Sequence, residues 1–249
     1  MTKSLPQKLK KEPLIDAIFE VRFDSDAQVS VVLPGMLFIA LEGNKSINRL
    51  AISEIPQDMR RSDPNLKYAP LSRIDWSSFF VNIGDCSLSV SCKYPYSGWK
   101  AFKPAIIKVI KGLESSSLAK HIERYSMKYV DLVPTSDNRE KVSMVNLDVT
   151  IAGHKLEKEP YQIRVEIPRD GMLNIVNIVS SAKATLHTGI SKEGLIVEVD
   201  TIVMLKNESI STLVNDFSNK LEAIHLTNKT VFFDCITPST LNSLEPVYE

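Results

Sequence analysis

No apolar run in this 249-residue chain approaches the roughly 20 residues that a bilayer-spanning helix needs, so a membrane helix is not expected. Lys3, Lys8, Lys10 and Lys11 lie near the start, but no apolar segment follows them, which argues against a secretory signal. Neither sign of charge is in excess, because 30 basic residues balance 30 acidic ones. No global field therefore attracts nucleic acid or a lipid surface, and no membrane partner is expected. Glycine is scarce, nine in all, which leaves little material for a phosphate cradle of backbone N–H groups. The Walker glycine loop, the G-x-G-x-x-G turn and the G-x-S-x-G elbow are all missing.

Metal ligands are thin as well. The four histidines, His121, His154, His187 and His225, include no two at metal-ligand spacing. Cys86, Cys92 and Cys235 form no C-x-x-C pair, so we expect no metal site and no cofactor. Cys86 and Cys92 sit six apart on one predicted strand, about 20 Å at strand rise, and cannot bridge there. A reduced, cytoplasmic protein is the simplest expectation.

The chain does have the means to build a core, with 43% hydrophobic residues against 24% charged. From Leu14 to Phe23 the pattern has period two. Ile15, Ala17, Phe19, Val21 and Phe23 share one strand face, and Asp16, Glu20 and Arg22 share the other. Pro34 suits the first turn of a short helix that Gly43 and Asn44 close, and Asn44 to Asn65 reads as connection. Strands are expected over Tyr68–Ile74, Ser77–Ile83, Cys86–Tyr94 and Tyr125–Val133, with Gly84-Asp85 as a tight hairpin turn. Between them, Trp99 to Leu113 carries a helical stripe of Phe102, Ile106, Val109, Ile110 and Leu113.

The second half is strand-dense, with Val145–Ile151, Tyr161–Ile167, Met172–Val179, Ala184–Thr188 and Leu195–Leu205 as expected strands. Asp170-Gly171 gives a strong hairpin signal between the second and third of these. A long helix over Ser209 to Thr227 follows, capped by Ser209. Strands joined by short loops imply antiparallel pairing. The fold class is therefore α+β, with meander sheets in two halves, each packed by an amphipathic helix. The polar run Thr135-Ser136-Asp137-Asn138-Arg139-Glu140-Lys141 divides residues 1–134 from a strand-rich half at 142–249.

Pro13-Leu14-Ile15-Asp16-Ala17-Ile18-Phe19-Glu20-Val21-Arg22-Phe23 resembles the P-L-x-E-A-I-F-E-I-R-F opening of a sporadically distributed bacterial family without an assigned activity. Arg124-Tyr125-Ser126-Met127-Lys128-Tyr129-Val130-Asp131 resembles that family's R-Y-x-x-R-Y-I-N strand. Leu221 to Thr237, with His225, Phe232, Phe233, Ile236 and Thr237, resembles its last helix and following turn. Here Asp16 replaces Glu, Lys128 replaces Arg and Asp131 replaces Asn, and a lysine cannot reproduce a bidentate arginine contact. The resemblance implies a cytosolic protein, and the family's patchy distribution is like that of genes at mobile or defence loci.

Three functions compete. In the favoured one the chain is a non-catalytic protein-interaction module rather than an enzyme. Asp16, Glu20 and Arg22 on one strand and Arg124, Lys128 and Asp131 on another would then form complementary charged faces in one sheet. In the second, nucleic acid binds the basic stretch from Lys93 to Lys128, through Lys100, Lys103, Lys108, Lys111 and the ring of Trp99. In the third, Asp16 and Glu20 join a carboxylate of the second half in a metal-dependent phosphodiesterase. Charged residues alternating on strands more often pair across a solvated sheet than assemble such a centre.

Overall fold

The computed structural model describes residues 5–135, 138–186 and 188–248. Among the described residues the strands are β1 (Lys8–Leu9), β2 (Leu14–Asp24), β3 (Lys45–Arg49), β4 (Ser72–Trp76), β5 (Phe79–Ile83), β6 (Ser87–Cys92), β7 (His121–Pro134), β8 (Thr150–Ile151), β9 (His154–Lys155), β10 (Gln162–Arg169), β11 (Met172–Thr185), β12 (Ser191–Glu208) and β13 (Pro246–Val247). The helices are α1 (Val29–Ala40), α2 (Gln57–Ser62), α3 (Trp99–Ser116), α4 (Asn138–Ser143), α5 (Ile210–Val214), α6 (Phe217–Cys235) and α7 (Pro238–Ser243). Nine strands form one large antiparallel sheet in the order β10-β11-β12-β7-β2-β6-β5-β4-β3. This is the α+β class that the patterning implies.

The chain divides into two compact units, each discontinuous in sequence. One comprises Met1–Ala17, Lys128–Thr201 and His225–Glu249, and the other Ile18–Met127 and Ile202–Ile224. Neither coincides with the halves 1–134 and 142–249. Of the polar run at 135–141, residues 136 and 137 lie outside the described residues and Asn138 begins α4.

In the second of these units the period-two pattern does what it promises. Phe19, Val21 and Phe23 are wholly buried, as are Phe102, Ile106, Val109, Ile110 and Leu113 of α3. Phe79 stacks on Phe102 with ring centroids 6.2 Å apart, and Phe217 meets Phe19 edge-on at 5.8 Å. Helices α1 and α3 approach so closely that a Cβ on Gly112 would collide with the Leu37 side chain. Proline 34 sits in the second turn of α1, not its first, at the cost of one ladder hydrogen bond. The stretch read as connection holds β3, a 3-10 turn at Ala51–Glu54 and α2.

The other unit packs Val133, Val176, Ile178, Leu195, Val197 and Val199 against Val231, Phe232 and Ile236. Three wholly buried polar residues are hydrogen-bonded to one another inside it. Thr201 Oγ1 donates to Asn174 Oδ1 at 2.8 Å, and Asn228 Nδ2 donates to Thr201 Oγ1 at 3.0 Å and to the Val199 carbonyl at 2.9 Å. The Asp170-Gly171 hairpin forms as expected, with φ of 52° and 75° and Arg169 opposite Met172. Three expectations fail. The strand over Val145–Ile151 reduces to an isolated bridge from Val145 to Ile236 and the short β8–β9 pair. The strands Met172–Val179 and Ala184–Thr188 are continuous through Thr185 as β11, and His187 lies outside the described residues. The helix over Ser209–Thr227 breaks at Asp216, whose φ of 59° is left-handed, so α5 stops at Val214 and α6 runs on to Cys235. Ser209 does cap α5, its side chain accepting from the Thr212 N–H.

Candidate functional site

Side chains alternate across a sheet, so the residues between the buried ones of β2, β6, β5 and β4 emerge on the face away from Phe79 and Phe19. The register aligns them in two rows. One is Ile18, Ser91, Phe80, Asp75 and Ser46, and the other is Glu20, Ser89, Asn82, Arg73 and Asn48. Arg73 Nε donates to Asn82 Oδ1 at 2.7 Å, and Asn82 Nδ2 donates to Ser89 Oγ at 3.3 Å. Glu20 Oε1 accepts from Arg22 Nε at 2.6 Å and from Arg124 Nη2 at 3.1 Å. One carboxylate oxygen thus holds two guanidinium groups, while the buried Nε of Arg124 has no acceptor among the described residues.

The strip continues at both ends. Arg22 lies 4.2 Å over the Tyr68 ring, and Tyr68 Oη donates to Glu123 at 2.6 Å. Lys67 Nζ reaches the same carboxylate at 3.1 Å. Burial works to raise the Glu123 carboxyl, but the hydrogen bonds from Tyr68 and Lys67 outweigh it and hold it below its ordinary range. Burial pushes the Tyr68 phenol up. At the opposite end Arg73 and Lys93 flank the half-buried Phe80 ring at 4.9 and 5.0 Å, and Lys93 also pairs with Asp75. The strip thus holds five cations, Arg22, Lys67, Arg73, Lys93 and Arg124, and three carboxylates, Glu20, Asp75 and Glu123. The strip has a positive excess and rings within it.

The pairing expected between the first strand and the Arg124 strand is present at Glu20. Lys128 instead pairs with Glu198 at 3.2 Å, and Asp16 is half-buried on β2. Asp131 corrects the expectation that it contacts a partner. It is only 5% exposed, and burial, with the charge of Glu12 adding to it, raises its carboxyl well above the usual range. The basic stretch is not a free cationic patch. Lys93, Lys103, Lys108, Lys120, Arg124 and Lys128 pair with Asp75, Glu222, Glu42, Asp26, Glu20 and Glu198. Trp99 Nε1 donates to Glu222 at 3.0 Å, which leaves Lys100 and Lys111 exposed on α3.

Among the described residues no three His, Cys, Asp or Glu side chains are grouped as a metal ion requires. His225 Nδ1 instead sits 2.8 Å from Tyr129 Oη, and His154 pairs with Glu159 at 3.2 Å. All three cysteines are free thiols. Tyr68, Arg73 and Asn82 were missed as site residues. The signal available for Arg73 and Asn82 was the hairpin around Ser77, where φ is 50° and whose register sets them opposite each other. Neither a protein-family model nor a curated protein matches the chain.

Proposed function

We propose that the chain is a non-catalytic protein-interaction module that takes an acidic segment of a partner protein across the Arg22–Arg73–Arg124 strip. The observation that carries this reading is the cationic excess, with an Arg73 guanidinium that enters no ion pair and an Arg124 Nε without an acceptor among the described residues. Guanidinium groups recognise carboxylates through paired, charge-assisted hydrogen bonds, and Arg and Tyr are enriched where proteins meet. Glu20 fixes two of the three forks in advance, which lowers the ordering cost of binding. In this reading the protein works in the cytoplasm without a resident cofactor. The likeness of its motifs to a patchily distributed bacterial family supports a link to a mobile or defence locus.

The test is fluorescence anisotropy of a labelled polyglutamate peptide. Saturable binding that weakens with salt is expected, and R73E with R124E should weaken it by at least about tenfold. K100E with K111E, on α3, should leave it within about twofold. Absence of saturable binding, or equal loss from both double variants, would overturn the reading. The cation-flanked rings of Phe80 and Tyr68 favour one rival, a single-stranded nucleic acid stacked on the strip. A competing oligonucleotide that binds more tightly and shows the same arginine dependence would transfer the site to that ligand.

A further inference from the structure

Where β2 ends, Asp24, Ser25, Asp26, Arg61, Lys67 and Cys86 line a cleft of about 350 Å³, at the lower end of the range that small-molecule sites occupy. Four stretches of chain converge on it, and each is pinned. The Phe23 N–H donates to the Cys86 carbonyl at 3.0 Å and the Lys120 N–H to the Asp24 carbonyl at 2.9 Å. Ser25 Oγ donates to the Leu118 carbonyl at 2.7 Å and accepts from the Ala27 N–H at 3.1 Å. Helix α2 is anchored by Arg60, whose Nη2 lies 2.8 Å from Asp85, and Asp85 also accepts from Ser30 Oγ at 2.6 Å. That anchor fixes the helix carrying Arg61.

Two of the four charges around the cleft are already engaged, Asp26 by Lys120 and Lys67 by Glu123. Asp24 and Arg61 enter no ion pair with each other or with another described residue, although the Arg61 charge acts at longer range on Asp26. An anion and a cation that share a cleft without meeting leave both to a ligand. A ligand of one charge would satisfy one wall and be opposed by the other, whereas a molecule bearing both charges satisfies both. The Cys86 thiol in the lining is kept neutral by burial and offers an uncharged contact to the ligand's body.

We propose that this cleft binds a small zwitterion of the free amino-acid class, with its ammonium on Asp24 and its carboxylate on Arg61. The inference does not depend on the arginine strip. Calorimetric titration with glycine, β-alanine, 4-aminobutanoate and 6-aminohexanoate varies the spacing of the two charges, and N-acetylglycine and glycinamide each remove one of them. Saturable binding is expected for at least one spacing, with both controls at least about tenfold weaker. Asp24→Asn and Arg61→Gln, both exposed substitutions, should each weaken that binding by a similar factor. The proposal is overturned if no zwitterion saturates, if a singly charged control binds equally well, or if both variants bind like the unaltered chain.

Discussion

Arg60→Leu is expected to lower the free energy of unfolding by about 3–5 kcal/mol, because it strands the carboxylate of Asp85 in the protein. The side chains of Arg60 and Asp85 are 12% and 8% exposed and lie 2.8 Å apart, with Ser30 the only further hydrogen-bond donor to that carboxylate among the described residues. Losing the guanidinium leaves a buried negative charge that one hydroxyl cannot compensate. Urea denaturation measures the loss directly, and the melting temperature should fall by about 2–4 °C for each kcal/mol. Replacing both partners, Arg60→Leu with Asp85→Leu, should restore most of the stability, since two apolar side chains leave no orphaned charge. A single-variant loss below about 1 kcal/mol would mean the pair behaves like an exposed one.

Asp131→Asn is expected to stabilise the protein at neutral pH, because burial penalises the ionised carboxylate and an amide cannot ionise. Burial is the largest influence on the Asp131 carboxyl and Glu12 the next, and both raise it. The sign of the pH dependence follows. At a pH below the unfolded value, near about 3.9, both states hold the proton and the residue is neutral in its effect. As pH rises toward the folded value the unfolded chain releases its proton first, so stability falls across that window and then levels off. Glu12, raised mainly by burial, contributes in the same direction, whereas Lys229, lowered by burial, acts only on the alkaline side. Melting temperatures from about pH 4 to about pH 8 should therefore decline less in D131N than in the unaltered chain. Parallel profiles for the two proteins would refute the assignment.

How legible each element was depended on how strongly it is buried. Strand β2 was readable because Ala17, Phe19, Val21 and Phe23 fall at every second position and are buried, while Asp16, Ile18, Glu20 and Arg22 between them are half-buried. Helix α3 was readable because its stripe meets a core. Strand β3 was not, because it ends the sheet and only Ile47 among Lys45–Arg49 is apolar, leaving no alternation to detect. The segment from Val145 to Ile151 imitates a strand by composition, yet its backbone is engaged elsewhere: the Asn146 N–H donates to the Cys235 carbonyl at 2.7 Å. At the site, the partnership of Glu20 with Arg124 could be argued from complementary charge on two strands. Asn82 could not be placed beside them, because its proximity is a product of sheet register, nor could Tyr68, which lies in a turn outside the strands. Asp131 misled because charge suggested exposure, while the strand's alternation turns it inward.

The interleaving of the two units has a consequence for synthesis. The unit that begins with the first residues also needs His225–Glu249, and the other needs Ile202–Ile224. Neither unit can close until those later segments have been made, so the faces that they cover stay open in the meantime. Such long-range closure makes for slow folding, and it lengthens the time in which apolar strand faces stay open to self-association.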